Sequence, residues 1–469
     1  VGKGHKGQIW NGIKIVDIAK GGKGIGRHEN RVIFVDDAIP EDHVNVEVLG
    51  KYKGSYRGKI IEYVERSPYQ AEAFCQHFTL CGGCRWQHMM YEQQAQFKAN
   101  NVIQTLRRIG EVDEATTVLP TLACEQERGY RNKLEFSFSS KRWLTRAEIE
   151  SGKQIDNKGA LGFHAKGSYD KIVQIEKCHL MPDLANQIRN ETNTFCRNNQ
   201  LTFYDFANHD GDMRNMFLRC TTSNEWMLVM SFGKPMSRKK EELLEHLKAT
   251  FPQLTSIQYV INQKKNDTIQ DLDVELFHGN SHIEELMGEM KFRISAKSFF
   301  QTNTLQAKKL YDVVLGFIGS EEHGVIYDLY CGTGSISCFL AAHGKKVIGI
   351  EQVEAAIQDA KINAELNGLS NLTFFEGTVR SILDPKFVEK HGRPTVIVTD
   401  PPRAGMHPNA VEALLEIRTP RIVYVSCNAS SQARDIKKLN SAYRVVKFQP
   451  VDLFPQTDHM ENVALLELL

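Results

Sequence analysis

The segment Val423-Tyr-Val-Ser-Cys-Asn428 ends an apolar run in a cysteine, and residues 395–399 run in the same way into Asp400-Pro-Pro-Arg-Ala-Gly405. A thiol level with a carboxylate at the ends of neighbouring strands suits nucleophilic addition followed by proton transfer. One reaction that needs both is alkylation of a uracil. Carbon 5 of that ring is too weak a nucleophile to take a methyl group unaided. A thiolate adding to carbon 6 turns the ring into an enolate, and a base must then remove the proton from carbon 5 so that the thiolate can leave. Cys427 is the candidate nucleophile. The candidate base lies in Asp458-His-Met-Glu-Asn462, where Asp458, His459 and Glu461 compete on spacing alone. Prolines stiffen the Asp400 loop and leave its acceptors free. Arg403 stands where an aromatic would stack on a base in amino-group methyltransferases, which disfavours methylation of an exocyclic amine.

A donor pocket is expected next to this chemistry. Val325-Ile-Tyr-Asp-Leu-Tyr-Cys-Gly-Thr-Gly-Ser335 reads as a strand running into Gly332-x-Gly334, where backbone can approach a ligand closely. The next strand, Lys346-Val-Ile-Gly-Ile-Glu351, ends in an acid suited to the two hydroxyls of a ribose. The third glycine of a dinucleotide fingerprint is replaced by Ser337, which favours S-adenosylmethionine over a ligand with a pyrophosphate.

A third group is Cys75-x5-Cys81-x2-Cys84, with Gly82-Gly83 allowing a tight turn, and a distant Cys178 after a spacer of 93 residues. Four thiolates would suit an iron–sulfur cluster. Zinc is the competing reading, with His77, His88 or His179 as the fourth ligand.

These residues must be carried by several units, since 469 residues exceed one ordinary domain. Residues 1–66 show short Val/Ile-rich strands at 8–16, 31–35, 45–49 and 58–64, with a glycine-rich turn at 20–27, and predict a small β-barrel. Residues 67–290 predict an α+β domain that begins with the cysteine segment and an amphipathic helix over 92–109. Residues 291–469 alternate strand and helix and predict a doubly wound α/β sheet of Rossmann-like type.

Composition is ordinary for a globular chain, with 41% hydrophobic and 25% charged residues. The uncharged stretch 329–344 is short and broken by three glycines, so no membrane span is expected. The first residues lack an apolar run, so a cytoplasmic protein without signal peptide is expected, and ten cysteines then point away from a disulfide framework. Lys and Arg total 58 against 57 acids, but residues 1–35 and 128–146 each carry a net charge of +5. Two basic segments on a near-neutral chain suggest a bound polyanion.

Together the motifs resemble the RNA uracil-C5 methyltransferase family, closest to its 23S ribosomal RNA branch, which carries an N-terminal TRAM barrel and a 4Fe–4S cluster. The resemblance implies that 1–66 is the OB-like TRAM barrel. It implies that Gln301 of Phe299-Phe-Gln-Thr-Asn303, Tyr330, Glu351 and Asp400 contact S-adenosylmethionine. It assigns Cys427 as nucleophile, Glu461 as base, and Cys75, Cys81, Cys84 and Cys178 as cluster ligands. It implies 23S rRNA rather than tRNA as substrate, because the family's tRNA branch is expected to lack barrel and cluster, and no obligate protein partner. A non-catalytic RNA-binding folding factor is the reading from a different class. The intact Asp-Pro-Pro, Cys427 and Glu461 argue against it.

Overall fold

The computed structural model describes residues 5–19, 21–155 and 158–469. Strands Ile9–Ala19, Lys23–His28, Arg31–Asp36, His43–Tyr52 and Ser55–Glu65 close into a barrel in the order first, second, third, fifth, fourth. Alternate residues Ile13, Ile15, Ile33, Val35, Val44, Val46 and Val48 fill it. The strand Lys23–His28 lies where the sequence predicts a turn. Its glycines serve close packing: a Cβ on Gly24 would come within 2.8 Å of Ile15 Cγ2, and one on Gly26 within 2.4 Å of Ile13 Cγ2.

The central unit is built on seven strands in the order Glu275–Gly279, Leu254–Ile261, Trp226–Phe232, Met213–Cys220, Lys133–Lys141, Lys158–His164, Ile172–Gln174. Met213–Cys220 and Trp226–Phe232 are buried at every position because both sheet faces are covered. Met216, Leu218, Leu228 and Met230 pack with helices Leu184–Asn198 and Arg238–Thr250, through Ile188, Leu243 and Leu247 among others. Phe217, Met227 and Val229 point the other way, into the core of the C-terminal unit.

That unit holds an eight-stranded sheet: Leu372–Glu376, Gly344–Glu351, His323–Leu329, Val396–Thr399, Arg421–Ser426, Glu461–Leu468, Tyr443–Val451 and Thr117–Val118. The first five run parallel, and Glu461–Leu468 is antiparallel to both of its neighbours. Ile326, Val347, Val398 and Val425 face helix Thr304–Ile318, whereas Tyr327, Ile348, Ile397 and Tyr424 face helices Pro408–Ile417 and Ala429–Leu439.

The order of packing departs from the order of sequence in one segment. Helix Tyr91–Arg108 buries Ala99, Val102 and Leu106 against Ala433 and Ile436 of the C-terminal unit, and Thr117–Val118 extends its sheet. Its apolar stripe, read from spacing as part of the central block, covers the helix face of another unit. No helix among the described residues is long and apolar enough to cross a membrane.

The basic segments are engaged within the chain to a greater degree than expected. Arg128 stacks on Phe74 at 3.9 Å, Lys133 pairs with Glu135 at 2.5 Å and Arg142 with Glu148 at 2.7 Å. In the barrel, Lys14 pairs with Glu41 and Lys23 with Asp36, while Lys3 and Lys20 lie outside the described residues.

Candidate active site and cysteine cavity

Strand register brings the sequence candidates to one edge. Val398 and Thr399 pair with Asp328 and Leu329, and Asp328 and Leu329 pair with Gly349 and Ile350. One step further, Asp400, Tyr330 and Glu351 stand level at the carboxyl ends of three adjacent parallel strands. On the antiparallel side Val425 faces Val463 and Ser426 faces Asn462, so the next pair is Cys427 opposite Glu461. The loops are tied together. Asn428 Nδ2 donates to the Arg403 carbonyl (2.8 Å), Ser431 Oγ donates to the same oxygen (3.1 Å), and Asn428 Oδ1 caps the following helix through Ser430 N (3.2 Å).

The electrostatics are those of a dry, acidic site. Burial, the Asp400 charge next, pushes the Glu461 carboxyl up to about 8, and burial alone takes Asp400 to about 7. Burial and the charges of Glu461 and Asp400 take the half-buried Cys427 thiol up to about 11, while Arg403 acts in the opposite sense by charge and hydrogen bond. Of the competing bases, Asp458 accepts the Gly21 amide (2.7 Å), and the His459 ring meets Arg403 Nη2 at 3.3 Å. Arg403 thus touches both nucleophile and loop, a role the sequence pattern of the Asp-Pro-Pro turn does not reveal.

Beside this edge Tyr330, Glu351, Val379, Arg380 and His407 line a cavity of about 260 Å³. Tyr330 (φ 62°), Gly332 (54°) and Gly334 (75°) turn the chain through left-handed backbone. Glu351 Oε1 accepts the amides of Gln352 and Val353, and Oε2 accepts that of Gly332 at 3.2 Å. Asp328 is buried beneath this loop. Ser337 Oγ donates to its Oδ2 (2.5 Å), its Oδ1 has no partner, and burial pushes it up to about 7. A buried acid with a free oxygen fits a cationic ligand. The Phe299–Asn303 segment lies over the glycine turn, with Thr333 Oγ1 donating to the Phe299 carbonyl (3.3 Å) and Asn132 Nδ2 to that of Gln301 (2.9 Å).

The four cysteines Cys75, Cys81, Cys84 and Cys178, from segments a hundred residues apart, line one cavity of about 360 Å³. Burial raises all four thiols, Cys81 and Cys84 to about 12, and neighbouring thiols add to the rise at Cys81, Cys84 and Cys178. Their ionisation would need a compensating cation. Among the described residues no three Cys, His, Asp or Glu side chains converge as they would on a metal ion, these four thiols included. His77 and His179 also line it; His77 Nε2 accepts the Glu176 amide (3.0 Å), and His88 is not among the lining residues.

Fold and edge together define an S-adenosylmethionine-dependent RNA methyltransferase, and comparison with known proteins narrows the class. Residues 138–381 and 387–468 match the tRNA (Uracil-5-)-methyltransferase family, and residues 12–61 match the TRAM domain. An uncharacterized RNA methyltransferase of Bacteroides thetaiotaomicron is 42% identical over 96% of this chain and 100% of its own length. One from Porphyromonas gingivalis is 44% identical over 97% and 99%. The Pyrococcus abyssi tRNA (uracil-54, C5)-methyltransferase, solved with S-adenosyl-L-homocysteine, superposes with a TM-score of 0.75 at 26% identity, over 97% of this chain and 99% of that one. The chain belongs to the RNA uracil-5-methyltransferase family, with an N-terminal TRAM domain. The match to a tRNA enzyme extends over the barrel as well, so the barrel alone does not exclude tRNA.

Proposed function

We propose that the protein methylates carbon 5 of a uridine in RNA, with Cys427 as nucleophile and Glu461 as base; 23S rRNA is the substrate that the resemblance of its motifs to that branch of the family implies. The observation that carries the chemistry is the register that sets Cys427 opposite Glu461 with Asp400 alongside. The target uridine must leave its stack to reach this edge. Cys427 gives up its thiol proton to solvent, and the thiolate adds to carbon 6, forming a carbon–sulfur bond and placing an electron pair at carbon 5. S-adenosylmethionine, when bound, supplies the methyl group that carbon 5 takes, and departs as the neutral thioether. Glu461 acts in its ionised form, the minor one below about pH 8; it removes the carbon 5 proton, and the electron pair left behind expels the Cys427 sulfur and restores the double bond. Arg403 favours the thiolate by its charge. Gln301, Tyr330, Glu351 and Asp400 would hold the cofactor, Tyr330 and Glu351 from the wall of the cavity itself.

Cys75, Cys81, Cys84 and Cys178 would hold a 4Fe–4S cluster. In support, the thiols surround a cavity larger than one ion, and burial makes each a poor thiolate without a cation. Methylation of tRNA is the second reading, favoured by the Pyrococcus enzyme that matches along nearly the whole chain. The test is tritium release from 5-tritiated uridine in 23S rRNA and in tRNA transcripts with S-adenosylmethionine. Release from rRNA supports the proposal, release from tRNA alone replaces the substrate, and no release from either overturns the chemistry. Cys427→Ala is expected to abolish release and keep cofactor binding.

A further inference from the structure

The base proposed above starts a strand, and the nine residues before it, 452–460, form a loop held mainly by groups outside its own sheet. At its centre Gln456 is 2% exposed and sits in left-handed backbone (φ 69°). A residue of this type holds that conformation only where its surroundings over-determine it. Here they do. The amides of Arg85 and Trp86, which follow directly on Cys84, both donate to the Gln456 carbonyl, at 2.7 and 3.3 Å. Its amide donates to Gln94 Oε1 (3.0 Å), Gln94 Nε2 donates back to its Oε1 (3.0 Å), and its Nε2 donates to Glu127 Oε2 (3.1 Å). Gln94 is itself fixed by donating to the carbonyls of Trp86 and Met89. Thr457, the next residue, lines the four-cysteine cavity.

We infer that Gln456 is a positioning residue for proton abstraction: it fixes the loop that aims Glu461 and ties that aim to the segment carrying Cys84. The inference rests on Glu461 being the base. Gln456 touches neither base nor nucleophile, so its effect passes through the loop. Loosening it should slow the step that needs Glu461 and leave sulfur addition to proceed, so the covalent protein–RNA adduct should build up. A displacement of about 1 Å at a reacting group can cost on the order of 100-fold in rate.

The test is Gln456→Gly, which accepts the left-handed backbone and keeps the carbonyl while deleting the side-chain anchors to Gln94 and Glu127, with Gln94→Ala removing the Gln94 anchor and the acceptor of the Gln456 amide. Turnover of 5-tritiated RNA, adduct on denaturing gels and amide exchange over 452–461 are read on the full-length holoenzyme, with Glu461→Gln and Cys427→Ala in parallel. Expected are a roughly 10- to 100-fold fall in kcat, adduct accumulation, faster exchange confined to the loop, and little change in KM for cofactor. The conservative Gln456→Asn should fall between Gly and wild type. A loss of turnover that follows the folded fraction, without adduct, overturns the inference, as does wild-type turnover in both variants. If Glu461→Gln also forms no adduct, it is the assignment of the base that fails.

Discussion

Glu461→Gln should stabilise the folded protein, and by more at alkaline than at acidic pH. The wild-type carboxyl is buried, and burial with the neighbouring Asp400 charge raises it from its ordinary 4.5 to about 8. The folded chain therefore keeps a proton that the unfolded chain releases above about pH 4.5. More protons bound in the folded state means that stability falls as pH rises through this window, and the loss is complete only above about 8. At about 1.4 kcal/mol for each pH unit, the cost relative to a neutral side chain is on the order of 2 kcal/mol near pH 6 and 4 to 5 kcal/mol near pH 8.5. Glutamine carries no charge to bury, so the variant's advantage should widen by about 2 to 3 kcal/mol between those conditions. For a cooperative unit of about 150–250 residues that is a gain in Tm of roughly 5 to 10 °C. Thermal melts of both proteins at the two pH values measure it. An advantage that stays constant, or that is larger at pH 6, refutes the argument that a buried carboxyl is held neutral beside Asp400.

Lys98→Met should be among the most damaging changes outside the site. Lys98 and Asp452 are both fully buried and joined at 2.9 and 3.0 Å, and loss of the cation leaves a buried carboxylate, at a cost of about 3–5 kcal/mol in denaturant unfolding. Lys98→Met with Asp452→Asn should recover much of that loss. Gly334→Ala places a Cβ 3.0 Å from Ala360 Cβ at a φ of 75°, so S-adenosylmethionine affinity should fall by about tenfold or more in calorimetry while Cys427 keeps its reactivity toward thiol reagents. Cys178→Ser should reduce iron content and visible absorbance of anaerobically purified protein; unchanged iron would remove Cys178 from the ligand set.

The parts legible in the sequence were those whose signal is local. Apolar runs ending in Asp400, Glu351 and Cys427 marked strands and what stands at their ends, because a parallel strand buried on both faces reads as a continuous run. Spacing could not separate Glu461 from Asp458 and His459; the register, continued one residue past Ser426 and Asn462, brings Glu461 across from Cys427, and Gly21 and Arg403 engage the other two. The strand Lys23–His28 was hidden because glycines needed for close approach to Ile13 and Ile15 look like turn glycines. The basic stretch 128–146 suggested a phosphate surface, since charge counts do not record that Arg128 lies on Phe74 and Lys133 beside Glu135. Lys98 sits within the buried stripe of its helix, and only the fold shows Asp452 opposite it.

What no local pattern could show is that the reacting edge is assembled from all three regions of the chain. Cys427 and Glu461 come from the C-terminal sheet, but the loop before Glu461 is held by Gly21 of the barrel, by Arg85 and Trp86 of the cysteine segment and by Gln94 of the helix Tyr91–Arg108. Ile18 of the barrel packs with Ile39, Trp86 and Met89, and Ile18, Trp86, Lys98, Arg403, Cys427 and His459 line a single hollow. Barrel and cysteine segment are therefore walls of the hollow in which Cys427 lies. A tRNA enzyme shares the architecture along nearly the whole chain, so possession of these units does not by itself choose between RNA classes. The choice must lie in the shape and charge that the barrel and central unit present around that hollow, while the chemistry proposed for Cys427, Asp400 and Glu461 would be the same on whichever uridine is delivered.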